Sequence, residues 1–207
     1  DVDHYAVEVA GPAKISVAVD QPADMHLSIL GPDGKTAIVG GDYGNKGTKI
    51  SMSQDVFQPG VYYVVLRGYP TGVYDMHVPY NLTISATPAL PDAAEPNDSA
   101  QQAKPIQLGQ TVTGVIPSGT DQDWWQFDTT FVSKVRITCT QPADFLFRVV
   151  DSSGKEITRG DFGGKGSVID TTLQLSAFNR YHIVVAPYSS THYNMTEPYQ
   201  LTVMPTL

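Results

Sequence analysis

The chain has 207 residues, a net charge of −8, and 41% hydrophobic against 16% charged residues. That is an ordinary mix for a globular protein with a buried core, and the acidic balance excludes the basic footprint that nucleic acid requires. No run approaches the ~20 apolar residues of a membrane-spanning helix, and a single cysteine, Cys139, excludes a disulfide within the chain.

Apolar residues recur at every second position over short runs, the pattern of half-buried strands. Ile15, Val17 and Val19 alternate, then Met25, Leu27 and Ile29. The turn signal Gly31-Pro32-Asp33-Gly34 follows, and then a glycine-rich loop, Gly41-Asp42-Tyr43-Gly44, in which Gly44 is expected at positive φ. Tyr62 to Leu66 is denser and reads as a central strand; Tyr80, Leu82 and Ile84 close the pattern. Residues 87–94, with Pro88 and Pro91 among alanines, read as a short semi-stiff spacer. Around 97–103 there is material for one helical turn, and Thr111 to Ile116 is a strand candidate. The strand pattern then resumes: Val135, Ile137, Cys139; Phe145, Phe147, Val149; Tyr181 to Val185; Tyr199, Leu201, Val203. Cys139 sits on an apolar alternation and is expected to be buried and inert.

The second half repeats the first. Gln21-Pro22-Ala23-Asp24 returns as Gln141-Pro142-Ala143-Asp144, the loop at Gly41 returns as Gly160-Asp161-Phe162-Gly163, and Pro79-Tyr80-Asn81-Leu82-Thr83 returns as Pro198-Tyr199-Gln200-Leu201-Thr202. A period this long is a whole domain rather than a solenoid unit. Three segments follow: a first domain at 1–86, a spacer at 87–94 and a second domain at 95–207. Short strands with frequent turns imply an all-β fold of two tandem antiparallel sandwiches. The second copy carries an extra front end, 95–120, so the first is expected to lack its N-terminal strand; residues upstream of position 1 in a parent polypeptide, or a partner, would supply it.

The second copy reads Glu95-Pro96-Asn97-Asp98-Ser99, then Leu108-Gly109-x-x-Val112-x-Gly114-x-Ile116, then Asp121-x-Asp123-Trp124-Trp125-x-Phe127, and ends on Tyr199-x-Leu201-x-Val203. This resembles the bacterial pre-peptidase C-terminal domain, the family that includes the collagen-binding domains of clostridial collagenases. The resemblance implies a jelly-roll-like β-sandwich attached to a secreted or cell-surface protein, without chemistry of its own. It further implies calcium, held at the positions of Glu95, Asn97, Asp98 and Asp123, with Asp121 a near match. The chemistry of the residues agrees, since calcium takes six to eight hard oxygens from carboxylates, amides and carbonyls. The other reading of the same residues is a capped helical turn beside solvated loop aspartates. Only Asp1 and Asp3 remain in the first copy, so no complete site is expected there.

Tyr69, Tyr74, Tyr188 and Tyr193 fall in polar loops and are candidate contacts for a protein or polysaccharide surface, as is Trp124. One ring of the Trp124-Trp125 pair is expected in the core. The five histidines show no metal spacing, no Gly-x-Ser-x-Gly elbow occurs, and no acid–base pair is repeated in both copies. The expectation is a non-catalytic, secreted accessory or binding module of a larger extracellular protein, calcium-stabilised in its second domain. A carbohydrate-binding module and a structural subunit of an assembly are the alternatives.

Overall fold

The computed structural model describes every residue except Tyr43, Val132, Ser133, Asp161, Phe162 and Leu207, and the side chain of Asp42. The aromatic loop residues Tyr43 and Phe162 therefore lie outside the described residues. The described residues contain no helix. They form two compact units, Asp1–Ala89 and Leu90–Leu207.

Unit 1 contains β1 (Val2–Val9), β2 (Ala13–Asp20), β3 (Met25–Leu30), β4 (Ala37–Asp42), β5 (Lys49–Val56), β6 (Gly60–Gly68) and β7 (Leu82–Pro88). They pair as a four-stranded sheet β1-β6-β3-β4 and a three-stranded sheet β5-β2-β7. The period-2 alternation explains the sandwich. Ile15, Val17 and Val19 on β2, and Leu27 and Ile29 on β3, each at most 2% exposed, meet Val64 and Leu66 of the dense strand β6. Their neighbours on β2 are more exposed, whereas Ser28 of β3 and Val65 of β6 are buried as well.

Unit 2 repeats these seven strands and adds two. β8 (Lys104–Pro105) and β9 (Thr111–Gly114) come first. Then follow β10 (Asp123–Asp128), β11 (Lys134–Thr140), β12 (Phe145–Asp151), β13 (Glu156–Gly160), β14 (Val168–Gln174), β15 (Arg180–Pro187) and β16 (Tyr199–Pro205), which stand in the places of β1 to β7. The sheets are β13-β12-β15-β10-β8 and β14-β11-β16-β9. All pairings are antiparallel but that of β8, which runs parallel to β10 with Trp125 beside Lys104. Cys139 is fully buried in this core, where burial pushes its thiol up to about 12.

Among the described residues unit 1 has no counterpart of β9, the absence expected from the sequence, and none of β8. The front segment of unit 2 places a strand on each of its two sheets. Two residues of the expected spacer at 87–94 lie in a strand. Thr87 and Pro88 belong to β7, opposite Lys14 and Ala13. Ala89 N–H donates to Pro12 O, and Leu90 N–H donates to Met195 O. The turn at 99–102 closes with Gln102 N–H donating to Ser99 O and does not continue into a helix.

A repeated glutamine locks one corner of each sandwich. Gln21 and Gln141 are 2% and 1% exposed. Gln21 Oε1 accepts from Met25 N–H at 2.9 Å and its Nε2 donates to Thr48 Oγ1 at 2.9 Å. Gln141 does the same with Phe145 N–H at 2.9 Å and Ser167 Oγ at 2.7 Å. Gly44 and Gly163, in the adjacent loops, hold φ of 121° and 103°, as the turn reading required. Replacing Gln141 by Ala removes the buried acceptor for Phe145 N–H. The expected cost is about 1–3 kcal/mol of unit 2 stability, read as a lower urea midpoint, with Gln141→Glu measured alongside to separate lost packing from the lost amide.

Candidate functional site

Two segments converge at the leading end of unit 2. The turn 92–98 crosses the start of β10, and the loop 117–122 enters β10 through Asp121 and Asp123. Asp92 fastens the front segment: its Oδ1 accepts from Ala94 N–H at 2.7 Å, and its Oδ2 accepts from Val115 N–H at 2.6 Å. Asn97 ties the turn to the strand, with its carbonyl accepting from Trp124 N–H at 2.8 Å. Glu95 Oε2 accepts from Asn97 N–H at 3.0 Å.

This routing gathers carboxylates. Glu95, Asp121 and Asp123 each offer a ligand oxygen, all within 4.8 Å of one another. Two unit charges near this spacing repel by roughly 4 kcal/mol at the effective dielectric of a protein surface. The repulsion and the loss of water show in the carboxyl groups. Burial pushes Asp121 up to about 7, with Glu95 and the exposed Asp98 adding to the effect. Burial pushes Asp123 up to about 8, partly offset by a hydrogen bond from Tyr199. Glu95 is raised as well, chiefly by burial.

The polar atoms are also left wanting. Asp121 Oδ2, Asp123 Oδ1 and both side-chain amide atoms of Asn97 are buried with no hydrogen-bond partner among the described residues. Asn97 is wholly buried, and so is Asp123. Native structures rarely leave such atoms without a partner. The donor set fits a hard divalent cation: carboxylates and an amide oxygen, with neither His nor Cys. Glu95, Asp98, Asp121 and Asp123 would hold it through carboxylates and Asn97 through its amide oxygen.

One partner is made. Tyr199 Oη donates to Asp123 Oδ2 at 2.5 Å and accepts from Trp125 Nε1 at 2.7 Å. Gly114 makes room for this pair, since a Cβ there would meet Asp123 Oδ2 and Tyr199 Oη at 2.4 Å each. Unit 1 repeats the relay. Tyr80 Oη donates to Asp3 Oδ2 at 2.6 Å, and the Tyr5 and Tyr80 hydroxyls are in contact. Tyr199, Asp92 and Gly114 are site residues that the sequence did not single out; Tyr199 reads as a core position. The paired recurrence of Asp3 with Tyr80 and of Asp123 with Tyr199 was the signal that could have found it.

The aromatic candidates separate. Tyr74 is 73% exposed and Tyr188 54%, and Tyr69 is exposed with its ring 6.2 Å from that of His26. Tyr193 packs against the unit 2 core instead of standing free in a loop. Trp125 is in the core; Trp124 is half-buried, edge-on to His182 at 6.0 Å, with its Nε1 covered.

No family model matches the chain, and no curated protein sequence matches it. Among solved structures, similarity is found to the pre-peptidase C-terminal domain of a collagenase from Bacillus anthracis, at 17% identity and a TM-score of 0.39, covering 49% of this chain and 93% of that one. The secreted serine protease VesC from Vibrio cholerae matches at 11% identity and a TM-score of 0.37, over 95% of this chain and 47% of that one. A catalytic domain with two CBM51 domains from Clostridium perfringens ZmpB matches at 7% identity and a TM-score of 0.32, over 99% of this chain and 33% of that one. The chain spans less than half the length of the last two. Similarity at this level assigns neither ligand nor activity.

The raised carboxyl groups fix a pH dependence. With cations removed, folded unit 2 holds protons on Asp121 and Asp123 that the unfolded chain has released above its ordinary carboxylate range near 3.8. The folded state binds more protons between those values, so this contribution is full below the ordinary value near 3.8 and is lost progressively as pH rises from there through about 7 for Asp121 and about 8 for Asp123. The melting temperature of unit 2 in chelator is expected to fall across that window, and the fall to be shallower in Asp123→Asn. A curve that rises there contradicts the assignment.

Proposed function

We propose that the chain is a non-catalytic accessory module of a secreted or cell-surface protein, in which calcium clips the front segment of unit 2 to its sandwich. The observation that carries this reading is the convergence of three carboxylates on one point beside buried, partnerless oxygens of Asn97, Asp121 and Asp123. A cation turns that repulsion into attraction and joins segment 92–98 to the start of β10. Its role is mechanical: it fixes a segment that contributes a strand to each sheet. The exposed Tyr69, Tyr74 and Tyr188 are the contacts such a module would offer to a protein or polysaccharide surface.

Calcium that binds only the folded state must stabilise it, by about 2.7 kcal/mol at a hundredfold excess over Kd. Millimolar calcium is therefore expected to raise the melting temperature of unit 2 by several degrees, chelator to reverse it, and unit 1 to be unaffected. Asp123→Asn should abolish most of the shift, and Asn97→Ala should weaken it. An unchanged melting curve at millimolar calcium refutes the cation clip.

A further inference from the structure

At the end of unit 2 opposite the carboxylates, two loops bring a pair of phenylalanines into water. Phe131 follows β10 and is 88% exposed; Phe178 precedes β15 and is 71% exposed. Their ring centroids lie 5.3 Å apart with the planes at 81°, an edge-to-face pair. Phe178 also holds φ at 57°, and it is the one residue other than glycine at positive φ among the described residues. A bulky side chain rarely adopts that region. Burial does not offset the strain, because the side chain stands in solvent.

The loops beneath are stapled together. Thr129, itself buried, donates its hydroxyl to Ser176 O at 2.7 Å and accepts from Asn179 N–H at 3.1 Å. Thr129 N–H donates to Asn179 O at 2.8 Å, and Phe178 N–H to Thr130 O at 3.1 Å. The shared fold does not require the rings. Asp128 pairs with Arg180 as Glu8 pairs with Val61, and counting from that register puts Gly11 and Pro59 of unit 1 at the places of Phe131 and Phe178. Strain of this kind collects at ligand-binding sites.

Beside the rings lies a shallow depression of about 460 Å³, lined by Asp128, Thr129, Phe178, Asn179 and Arg180, a size within the range of small-ligand sites. Arg180 grips the Asp128 carboxylate through Nε at 2.8 Å and Nη2 at 3.0 Å. The pair is neutral as a whole, and it uses two of the five N–H donors of the guanidinium. Aromatic carbon next to flat polar groups of balanced charge matches a sugar ring, which has C–H groups on its face and hydroxyls round its edge. It does not match a phosphate or an anionic membrane, because the guanidinium charge is already met. The rim of Asp, Thr and Asn also lacks the apolar area by which a surface element enters a bilayer.

We propose that Phe131, Phe178, Asp128, Asn179 and Arg180 form a binding site for a neutral β-linked polysaccharide, whose equatorial hydroxyls leave flat C–H faces on each ring. The phenylalanines pack against those faces, and Arg180, Asp128 and Asn179 hydrogen-bond the hydroxyls. Asp123 and Asp128 begin and end the same strand, about 17 Å apart at the rise of an extended chain. The sugar site is therefore separate from the cation at Glu95, Asp121 and Asp123 and needs no calcium.

Calorimetric titration of the full chain with cellopentaose, chitopentaose and xylopentaose, in calcium and in chelator, tests it. Saturable binding of at least one is expected in both solutions, with a roughly tenfold loss of affinity in each of Phe131→Ala, Phe178→Gly and Arg180→Gln. Phe178→Gly relieves the backbone, so its melting temperature is expected to equal or exceed that of the unaltered chain. Phe131→Ala and Arg180→Gln remove exposed groups and should leave melting unchanged. Absence of a saturable signal at millimolar oligosaccharide, or binding that all three substitutions leave intact, overturns the proposal. So does phenylalanine-dependent binding to phosphatidylcholine vesicles, or self-association, without binding of any of the three sugars, because the rings would then serve a bilayer or a second copy.

Discussion

A tyrosine hydroxyl that ties one sheet to the other is the constraint around which each unit is arranged. Tyr199 comes from the sheet of β16, while Asp123 and Trp125 come from the opposite sheet, on β10. The hydroxyl is donor to one and acceptor from the other, so a single buried oxygen fixes the relative placement of two strands. Buried polar groups of this kind cost free energy unless satisfied and specify geometry when they are. The other unit keeps the arrangement with Asp3, Tyr80 and Tyr5, although only the tyrosine and the aspartate keep their identities.

That relay also explains why acidic groups can collect above it. Asp123 spends one oxygen on Tyr199 and keeps the other free. The front segment then brings Glu95 over the same point, held there by Asp92 and by the backbone bond between Asn97 and Trp124.

Much of the fold was legible because alternation is a local signal. Ile15, Val17 and Val19, or Phe145, Phe147 and Val149, announce their inward faces without knowledge of their partners. The dense runs at Tyr62 and Tyr181 likewise announced interior strands. What escaped was non-local or short. β8 has two residues and pairs in parallel, and nothing in Lys104-Pro105 predicts that. Residues 87–94 read as a spacer because proline and alanine mark linkers by composition, whereas Thr87 and Pro88 extend β7 by pairing to β2. At the site, the acidic residues were visible as a pattern, but their crowding was not. It depends on a strand and a turn some 25 residues apart meeting at one corner. Tyr193 lies in a loop, as its polar neighbourhood suggests, and its partial burial against the core comes from packing that a local reading does not carry.

The lone sulfhydryl sits in the interior of only one of the two repeats. Its counterpart position in the other repeat is Val19, so nothing there can be alkylated or oxidised. With its ionisation pushed to about 12 by the surrounding apolar side chains, it is silent while that interior stays closed. Thiol-reactive dye uptake therefore times the opening of the rear repeat alone, giving a clock that needs no engineered label and ignores whatever the leading repeat is doing.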